Sequence, residues 1–239
     1  MQETSRTVEA LPRAVGWIDI LTVFVDPERA FHRVLKQGTW FPAYLVSALL
    51  ATGVAAWMMQ NSMSVFEQGL AQAATAQAEQ MRAFMFTMTK VAPIIGGILG
   101  PLIAGALMAL VYGALGLFIG SSVPSGSFRS YFTLACFARL PQVVAQALGV
   151  GGMILFHLQT PLIFSPVVLF PNLAPQSLAY SLLSTLDVFM IWSIILATVG
   201  LAVIHGRKVR EVVAAGVVLY LLSLSLSVSL SLIAAAFSV

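Results

Sequence analysis

The chain has 239 residues, 59% of them hydrophobic and only 9% charged, with a formal net charge of +3. An ordinary soluble domain is roughly a quarter charged, so this composition leaves no polar skin for a water-soluble fold. The basic residues form no nucleic-acid patch, and the lone Cys136 excludes both an intrachain disulfide and a cysteine metal cage while leaving the redox compartment open.

Apolar runs of twenty or more residues alternate with short polar breaks, and each run is long enough to cross ~30 Å of hydrocarbon at about 1.5 Å per residue. The expected fold is all-α: a polytopic transmembrane helical bundle with about five spans, N-terminal interfacial helices and an amphipathic extramembrane helix. Residues 1–38 make the cytoplasmic or interfacial part and residues 39–239 the membrane domain. The start of the chain mixes Arg6 and Arg13 with Glu3 and Glu9. It lacks the compact apolar core and small-residue cleavage site of a signal peptide, so insertion is assigned to the first span.

Residues 15–25 are apolar but short and interrupted by Asp19, which fits a helix lying on the membrane. Asp26-Pro27-Glu28 reads as a helix start, with a capping carboxylate, a preset φ and an acidic first turn. The amphipathic helix that follows carries Phe31, Val34 and Leu35 on its apolar face, keeps Arg29, Arg33 and Lys36 outside it, and ends at Gly38. The first span, 40–60, has Trp40 and Trp57 near its two interfaces.

Over residues 64–90, Phe66, Leu70, Ala73, Met81, Phe84 and Met88 fall at three-or-four-residue spacing, interrupted only where Gln77 occupies the stripe. This predicts the extramembrane helix, with Ser64 and Glu67 as its capping box. Its apolar stripe must cover the membrane surface, its own chain or a second protein. The second span, 91–119, is rich in glycine: Gly96, Gly97, Gly100, Gly105, Gly113 and Gly116, with Gly120 just beyond, offer surfaces for close helix packing.

The third span, 128–158, should kink at Pro141 and is open to interruption at Gly149, Gly151 and Gly152. Residues 159–181 carry no charge, but Pro161, Pro166, Pro171 and Pro175 forbid a regular span there. Such a segment lies along the interface or in a protein-lined cavity, because lipid does not tolerate unpaired backbone groups. The fourth and fifth spans are 182–205 and 212–237, joined by the basic turn Arg207-Lys208-Val209-Arg210. The Leu-Ser alternation over 222–231 mimics a strand, but the same cost in lipid makes helix the expectation.

Placing the N-terminus in the cytoplasm and Arg129 on that side gathers Arg6, Arg13, Arg29, Arg33, Lys36, Arg129, Arg207, Lys208 and Arg210 on one face, against Arg82 and Lys90 on the other. Five spans then leave the C-terminus outside.

Within the spans the sharpest anomaly is Arg139, where a charge costs at least ~2.5 to 3.5 kcal/mol unless paired or wetted. It is read as a lipid or solute contact, as half of an ion pair, or as a donor to carbonyls freed at Pro141. Asp187 is the natural partner, although its place three residues after Ser184 also fits a helix cap. No catalytic residue is assigned, because neither a nucleophile turn nor an aligned base is present. No metal ligand is assigned either: His32, His157 and His205 are scattered, and catalytic zinc takes three protein ligands. No cofactor is expected.

Several of these pieces, in order and spacing, resemble the Yip family of five-span membrane proteins, named for interaction with Ypt/Rab GTPases, and in particular its bacterial branch. Asp26-Pro27-Glu28-Arg29-Ala30-Phe31 resembles its proline-then-phenylalanine segment before the first span, and Tyr112-Gly113 with Gly116 resembles its glycine-rich second span. Phe137-Ala138-Arg139-Leu140-Pro141 resembles the aromatic-x-x-x-proline of its third span, and residues 186–192 resemble the fourth-span pattern of bacterial members. The resemblance implies a membrane-organising adapter. The short N-terminal region sets a Rab-type partner aside and points to a bacterial inner membrane.

The expected function is therefore non-enzymatic: an adapter that binds membrane lipids and another membrane or periplasmic protein, or itself, through Phe66, Leu70, Met81, Phe84 and Met88. The alternative is a lipid-handling or small-solute carrier with a polar path around Arg139 and Asp187. The absence of a visible internal repeat weighs against an ordinary secondary transporter.

Overall fold

A computed structural model describes residues 16–70, 76–120, 126–156, 164–174 and 177–237. The first two helices are short and connected by a buried charge. Helix α1 (Trp17–Val25) starts at Gly16, whose φ of 98° suits glycine, and the Gly16 amide donates to Asp19. Asp19 is almost fully buried and accepts from Arg33 on α2 (Pro27–Gln37), with Nε at 2.9 Å and an Nη2 bond beside it. Asp26 caps α2 by accepting from the Arg29 amide, and Gly38 ends it in the left-handed region, as the sequence predicts.

The apolar stripe of α2 is spent on the protein: Phe31 and Val34 are fully buried and the helix packs on the ends of two spans. In this it departs from the expected membrane-facing helix. On α1 the outer residues Ile18, Leu21 and Val25 remain exposed, which is the pattern of a helix that meets lipid.

Helices α3 (Phe41–Leu70) and α4 (Ala76–Ile119) form an antiparallel pair. Ser64 lies inside α3, so the helix start expected there is absent; an uninterrupted run of helix-compatible residues carries the span straight on. Helix α4 has 44 residues and continues through Pro93 and Pro101. Packing along α3 supports it where proline removes a backbone bond.

The third span is two helices, α5 (Phe128–Ala138) and α6 (Leu140–Phe156), meeting at Arg139 next to Pro141. Proline removes an amide and crowds the preceding turn, so the expected interruption falls there; Gly149, Gly151 and Gly152 stay helical. Beyond it lie a 3-10 turn (Pro166–Leu169), the short α7 (Leu178–Ser184), α8 (Val188–His205) and α9 (Val209–Phe237). The fourth span thus begins six residues later than the expected 182, because Asp187 itself is the cap: its carboxylate accepts from the Phe189 and Met190 amides. Ser223 and Ser225 on α9 donate to carbonyls of their own helix, Leu219 and Leu221, so the Leu-Ser alternation is helical.

Among the described residues, five helical stretches are long and apolar enough to span a bilayer: Phe41–Met63, Glu79–Ile119, Phe128–Phe156, Val188–His205 and Val209–Ser229. The third and fourth have half or more of their most apolar stretch buried, against 22% for the other three. The third and fourth spans are therefore the inner helices, and the core runs through Leu134, Phe137, Leu140, Leu196 and Leu201.

Candidate functional site

The break between α5 and α6 places Arg139 about eleven residues into its span, roughly 17 Å along the axis. It lines a cavity of about 530 Å3 enclosed by α4, α5, α6, α8 and α9. The rest of that lining is mostly apolar, including Met108, Ile194 and Leu222, with polar groups at Tyr112, Gln142, Ser193 and Ser223. Arg139 Nη1 is buried and has no hydrogen-bond partner among the described residues.

Asp187 lies on a neighbouring cavity of about 740 Å3, lined also by Ala51, Met58, Gln146 and Phe164. The two cavities share Gln142 and Met190. Arg139 and Asp187 are therefore close in the fold without meeting: among the described residues the ion pairs are Arg33–Asp19 and Arg207–Glu211. One oxygen of Asp187 is engaged in capping α8. Phe164 sits over this end of α8, with its ring 5.1 Å from that of Phe189 and its carbonyl accepting from the Val188 amide at 3.1 Å.

The glycines divide by what lies beside them. Gly97 meets the backbone and side chain of Thr52, so this is where α3 and α4 approach closely. Gly96 and Gly100 have nothing within 4 Å of a built Cβ, because the axial rotation that seats Gly97 turns them outward. A Cβ at Gly116 would lie 2.6 Å from Tyr131 Oη and 2.8 Å from His205 Nε2, two buried atoms hydrogen-bonded at 3.2 Å. Gly113 faces the Tyr131 ring at ordinary contact, and Gly120 ends α4 with a φ of 66°.

The basic residues near the span ends are tied into the bundle. Arg129 Nε donates to the Gly38 carbonyl and Arg207 Nε to the Gly120 carbonyl, each at 3.2 Å. These two bonds place the ends of α2, α4, α5 and α8 at one face. Of the 66–88 stripe, Met81 and Phe84 are exposed and Met88 is half-buried; Phe66 and Leu70 lie outside the described side chains. His157 and Pro161 lie outside the described residues.

Sequence reasoning missed the Asp19–Arg33 bond, the Tyr131–His205 pair and the two glutamines of α6. Gln142 and Gln146 are four apart in an apolar run, a visible sign of one polar helix face. The first two pairings join residues 14 and 74 positions apart, and only packing reveals them.

A bundle of five candidate spans with an arginine-bearing interior cavity defines a polytopic helical membrane protein. The model of the Yip1 domain matches residues 21–232, and the chain belongs to that family. No curated protein and no solved structure matches it.

Proposed function

We propose that the protein is a non-enzymatic membrane organiser that works by binding, holding a second protein through the outer end of the α3–α4 pair and membrane lipids through its spans. The carrying observation is the length of α4. Its 44 residues reach about 66 Å, more than twice the ~30 Å hydrocarbon thickness. The Ile119 end is fixed beside Arg207 through Gly120, so the surplus falls at the Ala76 end, where Glu79, Arg82 and Lys90 are found.

The Ala76 end of α4 then stands outside the membrane and leaves Met81 and Phe84 exposed to a partner protein. Met side chains adapt to varied partners, and Lys90 placed 4.1 Å over the Phe86 ring gives the patch a polar border. The basic face carries the N-terminal helices and, by the distribution of charge, is cytoplasmic. That orientation leaves this patch and the C-terminus outside, and the family resemblance to bacterial members supports an inner-membrane location.

The test is purification from native membranes in mild detergent. The triple variant Met81→Gln, Phe84→Gln, Met88→Gln should lose a stoichiometric protein partner, or a second copy of the chain, while remaining folded. Unchanged association would contradict the proposal.

A second reading is a lipid-handling carrier, supported by the adjoining cavities that share Gln142 and Met190. It requires Arg139→Gln to abolish flux across vesicles holding the purified protein while partner association survives.

A further inference from the structure

The cavity around Arg139 has the size of a small-ligand site and an uneven chemistry. Most of its wall is hydrocarbon-like. Of its polar groups, Ser193 and Ser223 already donate to the Phe189 and Leu219 carbonyls of their own helices. Tyr112, Arg139 and Gln142 remain as lining groups with hydrogen bonds to offer, and Arg139 Nη1 is shielded from solvent without a partner among the described residues.

Among the described residues no acid balances this charge: none forms an ion pair with Arg139, and Asp187 lines the other cavity while capping α8. Arg139 is half-buried, and a guanidinium nitrogen taken out of water without a hydrogen-bond partner is unfavourable. A guanidinium is satisfied by an oxyanion, because its planar fork donates two parallel hydrogen bonds to a carboxylate or phosphate.

The cavity also has an open side. Met108 on α4 and Leu222 and Leu226 on α9 line it and are exposed, and both helices belong to the outer set. Their exposed surface within a span faces lipid, so the natural entrance is lateral and an entering molecule must be soluble in hydrocarbon over most of its length. We propose that this cavity holds the anionic head of a membrane amphiphile, a carboxylate or a phosphate, on Arg139, with the acyl chain passing between α4 and α9 into the bilayer.

This names the ligand for the lipid-binding part of the function proposed above. It stands whether or not anything is carried, and it is independent of the patch around Phe84. The test is native mass spectrometry of the full chain released from micelles doped with oleate, with a monoacyl phosphatidate, or with uncharged oleyl alcohol. Retention of oleate or phosphatidate, whichever head the site accepts, with at least tenfold weaker retention of oleyl alcohol supports the site and identifies its anion. Arg139→Gln should reduce retention at least tenfold.

Leu226→Trp crowds the entrance without touching the arginine and should weaken retention severalfold, whereas Leu117→Trp, at a highly exposed position outside the cavity lining, should not. The second pair decides the matter if Arg139→Gln does not fold. Equal retention of the alcohol, undiminished binding by a folded Arg139→Gln, or no effect of Leu226→Trp relative to Leu117→Trp would each overturn the proposal.

Discussion

Asp19 on α1 and Arg33 on α2 are joined by a guanidinium–carboxylate contact in which the acid is almost completely buried and the arginine remains partly in water. The same carboxylate accepts from the Gly16 amide at 3.2 Å. One side chain thus caps the first helix and fastens it to the second. An aspartate that interrupts an apolar run in the sequence is the element that organises the N-terminal unit.

Removing it should therefore cost more than an ordinary surface pair. Asp19→Ala is expected to destabilise the N-terminal helices by about 2 kcal/mol, within the range for lost hydrogen bonds to charged groups. Arg33→Ala should cost less, since its guanidinium is 30% exposed. A double-mutant cycle read by thermal unfolding in detergent, with protease sensitivity of α1 as a second probe, should give non-additive effects. Additive effects would mean that the contact contributes nothing in solution.

The glycines provide a contrast between positions of the same residue type in one helix. Gly116→Ala pushes a methyl group against the Tyr131–His205 pair and should cost about 1 to 3 kcal/mol, as overpacking does. Gly100→Ala enters open space and should be neutral or stabilising by up to about 1 kcal/mol, the helix preference of alanine. Thermal melting of the two variants side by side checks the assignment, and equal losses would show that Gly100 has a neighbour after all.

At Asp187 the expectations separate a cap from an intramembrane charge. Asp187→Asn keeps a side-chain oxygen for the Phe189 and Met190 amides and should retain stability, whereas Asp187→Ala should lose about 1 kcal/mol. Exchanging the charges of Arg139 and Asp187 should rescue neither single variant, since the two line different cavities. Recovery on the exchange, measured as folded yield and melting temperature, would instead establish a direct pair.

The parts of this fold legible in the sequence are those governed by local rules. The Asp26 cap, the Gly38 terminator and the break beside Pro141 each follow from a residue's own backbone chemistry. Span number follows from apolar length alone. Facing residues were not legible: whether Gly97 or Gly100 meets α3 depends on a rotation about the helix axis that leaves composition unchanged. Arg139 stands out from its surroundings in the sequence, yet its relation to Asp187 depends on how α6 and α8 pack. The Gly-rich stripe, the Ser64 start and the stretch before Asp187 show the same limit, since each local pattern was compatible with more than one register.

Binding of a protein through the outer end of α4 is the proposed activity, and photo-crosslinking in living cells tests it most directly. A photoreactive residue at Phe84 should give one discrete protein adduct, identifiable by mass spectrometry, while the same residue at the exposed Leu117, near the other end of α4, should give none. Adducts equal at both positions, or absent from Phe84, would contradict the account.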